Sequence, residues 1–169
     1  VTAHFVDNKI DNGDIIYQQK IKIEDSDDYE SLLKKAFDVC PKVTSRALEL
    51  VIKNKAQPIK QKNIKKYPIY CSRRKEGDEF INWNENSLVI YNFIRALVYP
   101  GPYAQSKINQ SIVYFKKVTF LKDAPNYIDI PGSVLKKDKF GILVKTGDTY
   151  ILINEWECDT LVKVGDRFF

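Results

Sequence analysis

The sequence predicts an α/β stretch followed by a β-rich domain that reads as a small barrel or roll. Three observations carry that expectation. Two strand-like runs, residues 3–6 and 15–23, flank a short acidic loop and lead into amphipathic helical sequence. A basic, proline-broken segment then interrupts the chain. Beyond Pro102 the sequence turns to Ile, Val, Tyr, Phe and Thr, which favour a pleated, half-buried surface. The division that follows is 1–56, then a linker 57–75, then a domain 76–169.

With 169 residues, 44% hydrophobic and 29% charged, the chain has a globular composition and room for one medium or two small domains. Its apolar runs are short and interrupted, so no membrane span is expected. No charged-then-apolar leader stands at the N-terminus, so nothing argues for secretion. Cys40, Cys71 and Cys158 are odd in number and widely spaced, which suits reduced thiols and a cytoplasmic location. A single histidine, His4, and no Cys pair at zinc spacing give no metal site. The chain begins with Val1 inside an expected strand and contains no Met, so it is expected to be a piece of something longer.

The first loop holds Asp7, Asp11, Gly13 and Asp14. A loop between strands can hold a carboxylate rigidly beside a ligand. On its own chemistry the same loop reads as a tight turn, with Asp and Gly chosen for backbone geometry. Ile15, Ile16 and Tyr17 form an apolar run, as in a strand covered on both faces. Asp25 or Ser26 would cap a helix with Asp27, Asp28 and Glu30 in its first turn. Tyr29, Leu32, Leu33, Ala36, Phe37 and Cys40 give it a helical stripe, and Pro41 should kink or restart it. Val43, Ala47, Leu48, Leu50 and Val51 continue the stripe, which is expected to be core packing.

Residues 53–75 carry nine Lys and Arg and no acid, with Pro58 and Pro68 breaking any regular element. Such a field would draw a polyanion, either a nucleotide diphosphate or RNA. Asn84 or Asn86 caps a helix from Ser87 to about Val98, with Leu88, Tyr91, Ile94, Leu97 and Val98 inward and Pro100-Gly101-Pro102 ending it. Strands follow at residues 111–121, 134–135, 140–145 and 149–156, with Gly147-Asp148 turning the last hairpin. A helix before several short strands suggests an oligonucleotide-binding (OB-like) barrel.

Two motifs are more specific. The stretch Ala3-His-Phe-Val-Asp-Asn-Lys-Ile-Asp-Asn-Gly-Asp-Ile-Ile16 resembles the H-x-V-D-x-x-x-D-x-G-x-I-I loop of the formyltransferases that use 10-formyltetrahydrofolate. In the correct order behind it, Tyr70-Cys-Ser-Arg-Arg-Lys-Glu-Gly-Asp-Glu-Phe-Ile-Asn-Trp83, Ile94-Arg95-Ala96-Leu97 and Pro100-Gly101-Pro102-Tyr103-Ala104 resemble the start of that family's C-terminal domain. The resemblance spans roughly residues 1 to 120. It implies that residues 1–56 are the end of a Rossmann-like catalytic domain and that 76–169 are a helix plus an OB-like barrel.

Position by position, the resemblance makes Asp11 the catalytic aspartate. Its role would be to orient a catalytic histidine and favour the imidazolium. Val6, Asp7, Asn8, Lys9, Ile10 and Asp11 match the loop that contacts the folate pterin. The family's Asn and His, of N-x-H-P-S type, would lie upstream of Val1, so this chain alone is expected to be inactive. His4 is a different histidine, read as structural or as a support behind the site residues. Asn82 replaces a usual Asp, and the Tyr99–Tyr103 turn is shortened and lacks the usual Trp.

The expected reaction is attack of an acceptor amine on the formyl carbon. Tyr70, Arg73 and Arg74 would bind the acceptor, since paired guanidinium groups grip phosphate oxygens at two points. They look more like the enzymes for nucleotide-linked aminosugars, but the basic segment suits initiator tRNA equally well. Solvation of the linker and pairing with Glu76, Asp78 or Glu79 is the plainer alternative for both arginines. The resemblance allows a homodimer. A rival class is a nucleic-acid-binding barrel without catalysis, for which Tyr114, Phe115, Lys116, Lys117 and Phe120 would have to supply stacking and charge.

Overall fold

The computed structural model describes residues 1–64 and 69–169; Lys65, Lys66 and Pro68 of the basic segment lie outside them. The chain forms two compact units, one comprising Val1–Ser26 and Ser31–Arg73, the other Asp27–Glu30 and Arg74–Phe169.

In the first unit, β1 (Thr2–His4) pairs antiparallel with β2 (Ile15–Gln18), and the acidic loop joins them. The strand expected to run on to Ile23 stops at Gln18. Ile59 then pairs with Ile15 through two backbone hydrogen bonds of 2.9 Å, so part of the segment read as linker is built into this unit. Helix α1 (Tyr29–Ile52) is a single 24-residue element with Pro41 in its interior. It corrects the expected restart at Pro41. Proline removes one intrahelical donor there, and the bonds of the turns on either side keep the helix going. The start also moves: Asp27 and Asp28 precede the helix, leaving Glu30 as the acid of its first turn.

The stripe on α1 is less covered than its spacing suggests. Val43 and Ala47 are buried, whereas Phe37, Leu48 and Val51 are exposed. Core packing therefore describes two positions of that stripe, not the whole of it. The apolar run of β2 follows the same pattern, with Ile15 buried and Ile16 and Tyr17 half-buried.

The second unit opens with α2 (Ser87–Arg95), capped by the Asn86 side chain, which accepts from Val89 N–H at 2.9 Å. The inward residues are Ile90 and Ile94, followed by Leu97 and Val98; Leu88 faces out and Tyr91 is half-buried. Five antiparallel strands follow: β3 (Ala104–Ile108), β4 (Ser111–Thr119), β5 (Val134–Asp138), β6 (Gly141–Lys145) and β7 (Tyr150–Glu157). Their order is β3-β4-β7-β6-β5. This is an open five-stranded sheet, which corrects the expected closed barrel.

The sheet stays open because β3 and β5 have no ladder between them. Instead the C-terminal segment bonds along both. Phe169 exchanges two 3.0 Å hydrogen bonds with Lys107 beside β3, while Val134 N–H donates to Asp166 O at 2.8 Å and Phe168 N–H to Gly132 O at 2.9 Å. Unpaired edges invite association, and here an irregular tail covers them.

Trp83 sits at the centre of the core. Its indole stacks on Phe168 and meets Phe115 edge-on, each at 5.7 Å, and its N–H donates to buried Ser106 Oγ at 2.9 Å. Ser106 in turn donates to Phe169 O at 2.8 Å, so the tail, β3 and the indole share one polar relay inside an apolar cluster. A second relay fixes the start of α2. The Asp148 carboxylate accepts from Ser87 N–H, Thr149 N–H and Thr146 Oγ1 at 2.8–3.0 Å. Buried Lys145 is satisfied by Thr146 O and Asp148 O and lies 4.8 Å from the Tyr127 ring. Among the described residues no helix is long and apolar enough to cross a membrane.

Candidate active site

The loop between β1 and β2 brings several sequence-selected residues together. Asp7 is committed to the loop itself: its carboxylate accepts from Asn12 Nδ2 at 2.8 Å and from Lys9 N–H at 2.9 Å. Those two donors, the Asn12 amide first, hold the Asp7 carboxyl below the usual carboxylate range. The fixed carboxylate therefore shapes the turn and is not poised to exchange protons near neutral pH.

Asp11 is placed differently. Its backbone lies in the left-handed region at φ 49°, which Asp tolerates better than most residues. Its side chain is 88% exposed, with Oδ1 3.8 Å from Nε2 of His4. That contact is an ion pair only when the imidazole is protonated. The other ring nitrogen, His4 Nδ1, lies 2.7 Å from Phe5 O, which fixes the ring against the strand end. His4 thus ties the loop to β1, in keeping with a structural role. Val6, 94% exposed, and Ile10, 81% exposed, leave the outer side of the loop open to a flat ring.

Gly13 closes the loop. Phe5 N–H donates to Asp14 O at 3.0 Å, and a Cβ on Gly13 would stand 1.6 Å from Phe5 O, so no side chain fits. Gln61 reaches in from the basic segment and donates to Asp11 O at 2.8 Å and Gly13 O at 2.9 Å. Sequence reasoning passed over Gln61 entirely. Nothing in a Lys-rich, proline-broken stretch marks one polar residue as the partner of a loop fifty residues earlier.

The acceptor candidates separate. Tyr70 is 75% exposed and, with Arg73, belongs to the first unit. Arg74 belongs to the second and donates to Glu79 Oε1 at 2.8 Å, one of the pairings its neighbourhood allowed. Glu79 also accepts from Gly77 N–H, and Lys75 N–H donates to Asp78, so this turn is organised by its own acids.

The strand chosen for the nucleic-acid alternative reads otherwise in three dimensions. Phe115 is fully buried, Phe120 packs on Tyr91, and Lys116 and Lys117 pair with Glu157 and Glu155. Among the described residues, no group of three or more His, Cys, Asp or Glu is placed to hold a metal ion.

Comparison with known proteins bears on the whole arrangement. A family model described as the C-terminal domain of formyl transferases matches residues 74–161. The chain is 32% identical over 166 residues to the bifunctional polymyxin resistance protein ArnA of Wigglesworthia glossinidia brevipalpis, covering 96% of this chain and 24% of that protein. It is 35% identical over 148 residues to the methionyl-tRNA formyltransferase of Mycoplasma mycoides, covering 87% and 46% respectively. The chain therefore spans a quarter to a half of the curated relatives it matches. Among solved structures, WlaRD, a sugar 3N-formyl transferase crystallised with dTDP and 5-N-formyl-THF, superposes with a TM-score of 0.62 at 25% identity, over 95% of this chain and 55% of that one. The N-formyltransferase of Helicobacter canadensis in complex with folinic acid and dTDP-3-aminofucose shares the fold, with the same TM-score of 0.62 at 23% identity over 92% and 55%. The match that takes in Arg74, Trp83, α2 and the sheet up to β7 decides the matter: this chain belongs to the formyltransferase family, and the part it matches is that family's C-terminal domain.

Proposed function

We propose that this chain is the C-terminal portion of an enzyme that moves a formyl group from 10-formyltetrahydrofolate to the amine of a nucleotide-linked aminosugar, in the cytoplasm. The observation that carries the reading is the Asp11 loop. It is braced through Asn12 and Gln61, while the Asp11 carboxylate is 88% exposed, with His4 Nε2 at 3.8 Å. A carboxylate so placed can orient an imidazole and favour its charged form. The histidine it would serve, and the neighbouring Asn, would have to come from outside these 169 residues, which span a quarter to a half of the relatives' lengths. When bound, the folate supplies a formyl carbon open to attack by the amine. Val6 to Asp11 would line the pterin side, while Tyr70 and Arg73 of the same unit would meet the acceptor's phosphates; Arg74, paired with Glu79 in the second unit, is left out of that role.

Residues 74–169 are nearly balanced, with thirteen Lys and Arg against twelve Asp and Glu, while residues 53–75 carry nine basic residues and no acid. That positive segment suits the pyrophosphate of a sugar nucleotide and the phosphates of a tRNA alike. The sugar acceptor is preferred here on the sequence pattern of Tyr70 followed by the paired Arg73-Arg74. A methionyl-tRNA acceptor is the second reading, favoured by the relative at 35% identity that bears that name.

The test is to join the chain to an upstream half that carries the Asn and His, supply 10-formyltetrahydrofolate, and offer a dTDP-aminosugar or initiator methionyl-tRNA. Formylation of the sugar nucleotide, with no product from the 169-residue chain alone, is the expected result. Formylation of the tRNA alone would overturn the acceptor assignment, and full activity of the isolated chain would overturn its reading as a partial enzyme.

A further inference from the structure

We infer that Gln61 is a positioning residue for Asp11, clamping the acidic loop from the downstream segment. The inference rests on the reading of Asp11 as the group that orients the catalytic imidazole. One side-chain amide meets two carbonyls of the same turn, Asp11 O and Gly13 O, at 2.8 and 2.9 Å. An amide nitrogen carries two protons and can serve both acceptors at once. Between those carbonyls the chain turns through the left-handed conformation of Asp11, which persists in a non-glycine residue when its surroundings hold it there.

Gln61 is itself anchored. Ile64 N–H donates to Gln61 O and Asn63 N–H to Lys60 O, each at 2.9 Å, in a tight turn over Gln61–Asn63. Two residues earlier, Ile59 is fastened to Ile15 of β2 in both directions. The strand that leaves the loop therefore holds the segment that holds the loop. Asp7 grips the other part of the turn through Asn12 and Lys9. Two clamps act on backbone and neighbouring side chains, and the Asp11 carboxylate, 3.8 Å from His4 Nε2, stays exposed.

Two variants separate donation from shape. Gln61→Ala removes the side chain, whereas Gln61→Glu keeps its outline and, when ionised, has no proton to give. NMR on the 169-residue chain reads the clamp directly, through the carbonyl carbon shifts of Asp11 and Gly13 and the relaxation of nearby amides. Both variants should move those carbonyls and loosen the loop while leaving β4 and β7 unchanged. In the full-length polypeptide carrying both halves, kcat for formyl transfer should fall roughly tenfold to a hundredfold in both variants, with KM for the acceptor little changed. A wild-type loop spectrum or a wild-type kcat in Gln61→Glu overturns the inference. If the loop loosens in both variants while the unmutated full-length polypeptide transfers no formyl group, the clamp stands and the formyltransferase reading of the chain falls.

Discussion

The two units bury their apolar residues to very different degrees. The second builds one continuous cluster around Trp83, Phe115 and Phe168, with Ile90 and Ile94 from α2 and inward residues from all five strands. The first keeps Ile15, Val43 and Ala47 buried and leaves Val6, Ile10, Phe37, Leu48, Ile52, Ile59, Ile64 and Ile69 exposed. Single exposed apolar residues are ordinary, and the first unit simply carries more of them than the second. The contrast is one of packing: the sheet unit has a continuous core of its own, whereas the acidic loop is held mainly by hydrogen bonds from Asn12, Lys9 and Gln61.

The largest test of that contrast strikes the sheet unit. Trp83→Ala removes the stacked indole and should cost about 3–5 kcal/mol, read by chemical denaturation followed through Trp156. The loop unit's carbonyl shifts at Asp11 and Gly13 should be unaffected. The reciprocal change is Gly13→Ala, whose Cβ would overlap Phe5 O. It should abolish the NMR signature of the acidic loop and leave the denaturation midpoint of the sheet unit where it was. A coincident loss of both units in either variant would refute their independence.

Smaller effects sharpen the picture of the sheet unit. Ser106→Ala strands the indole N–H of Trp83 and removes one of the two donors to the carbonyl of Phe169, and should lower stability by about 1–3 kcal/mol. Asp148 gives a pH signature. Burial raises its pKa, but donation from Ser87, Thr149 and Thr146 together outweighs burial and holds the carboxyl below its ordinary value of 3.8. A carboxyl with a lowered folded-state pKa stabilises the fold at pH above its unfolded value, and that contribution is lost as pH falls through the folded value. Acid titration of sheet-unit stability should therefore steepen below the ordinary Asp range. In Asp148→Asn that part of the pH dependence should vanish.

Much of this was legible in local sequence because local rules decide it. Asn84 or Asn86 before a hydrophobic run marked a helix start, which the structure assigns to Asn86, and Gly147-Asp148 between two β-rich runs marked the β6–β7 hairpin. The family was legible in a different way. Asp11 alone reads as a turn residue, and the resemblance rests on its loop having Arg73 to Trp83 and Ile94 to Ala104 in order behind it.

What stayed hidden depends on distant partners. Strand β3, Ala-Gln-Ser-Lys-Ile, is short and half polar, and becomes a strand because Ala104, Ser106 and Ile108 face the Trp83 core. Ile90 replaced Leu88 on the buried side of α2 because both sit on an almost wholly apolar helix, where spacing alone does not choose a face. The open sheet was missed because strand content does not say whether edge strands meet. A tail of mixed composition took that place. Gln61 was missed for the same reason as the tail: its role lies in a contact across 48 to 50 residues, and no local pattern encodes it.

The most direct measurement replaces Asp11 by Asn in the full-length polypeptide and follows formyl transfer from 10-formyltetrahydrofolate to a dTDP-aminosugar. Asn keeps the size and the backbone turn but cannot favour an imidazolium. The account predicts a fall in kcat of roughly a hundredfold to ten-thousandfold, with the loop's NMR signature intact. A variant that turns over at the wild-type rate would contradict it.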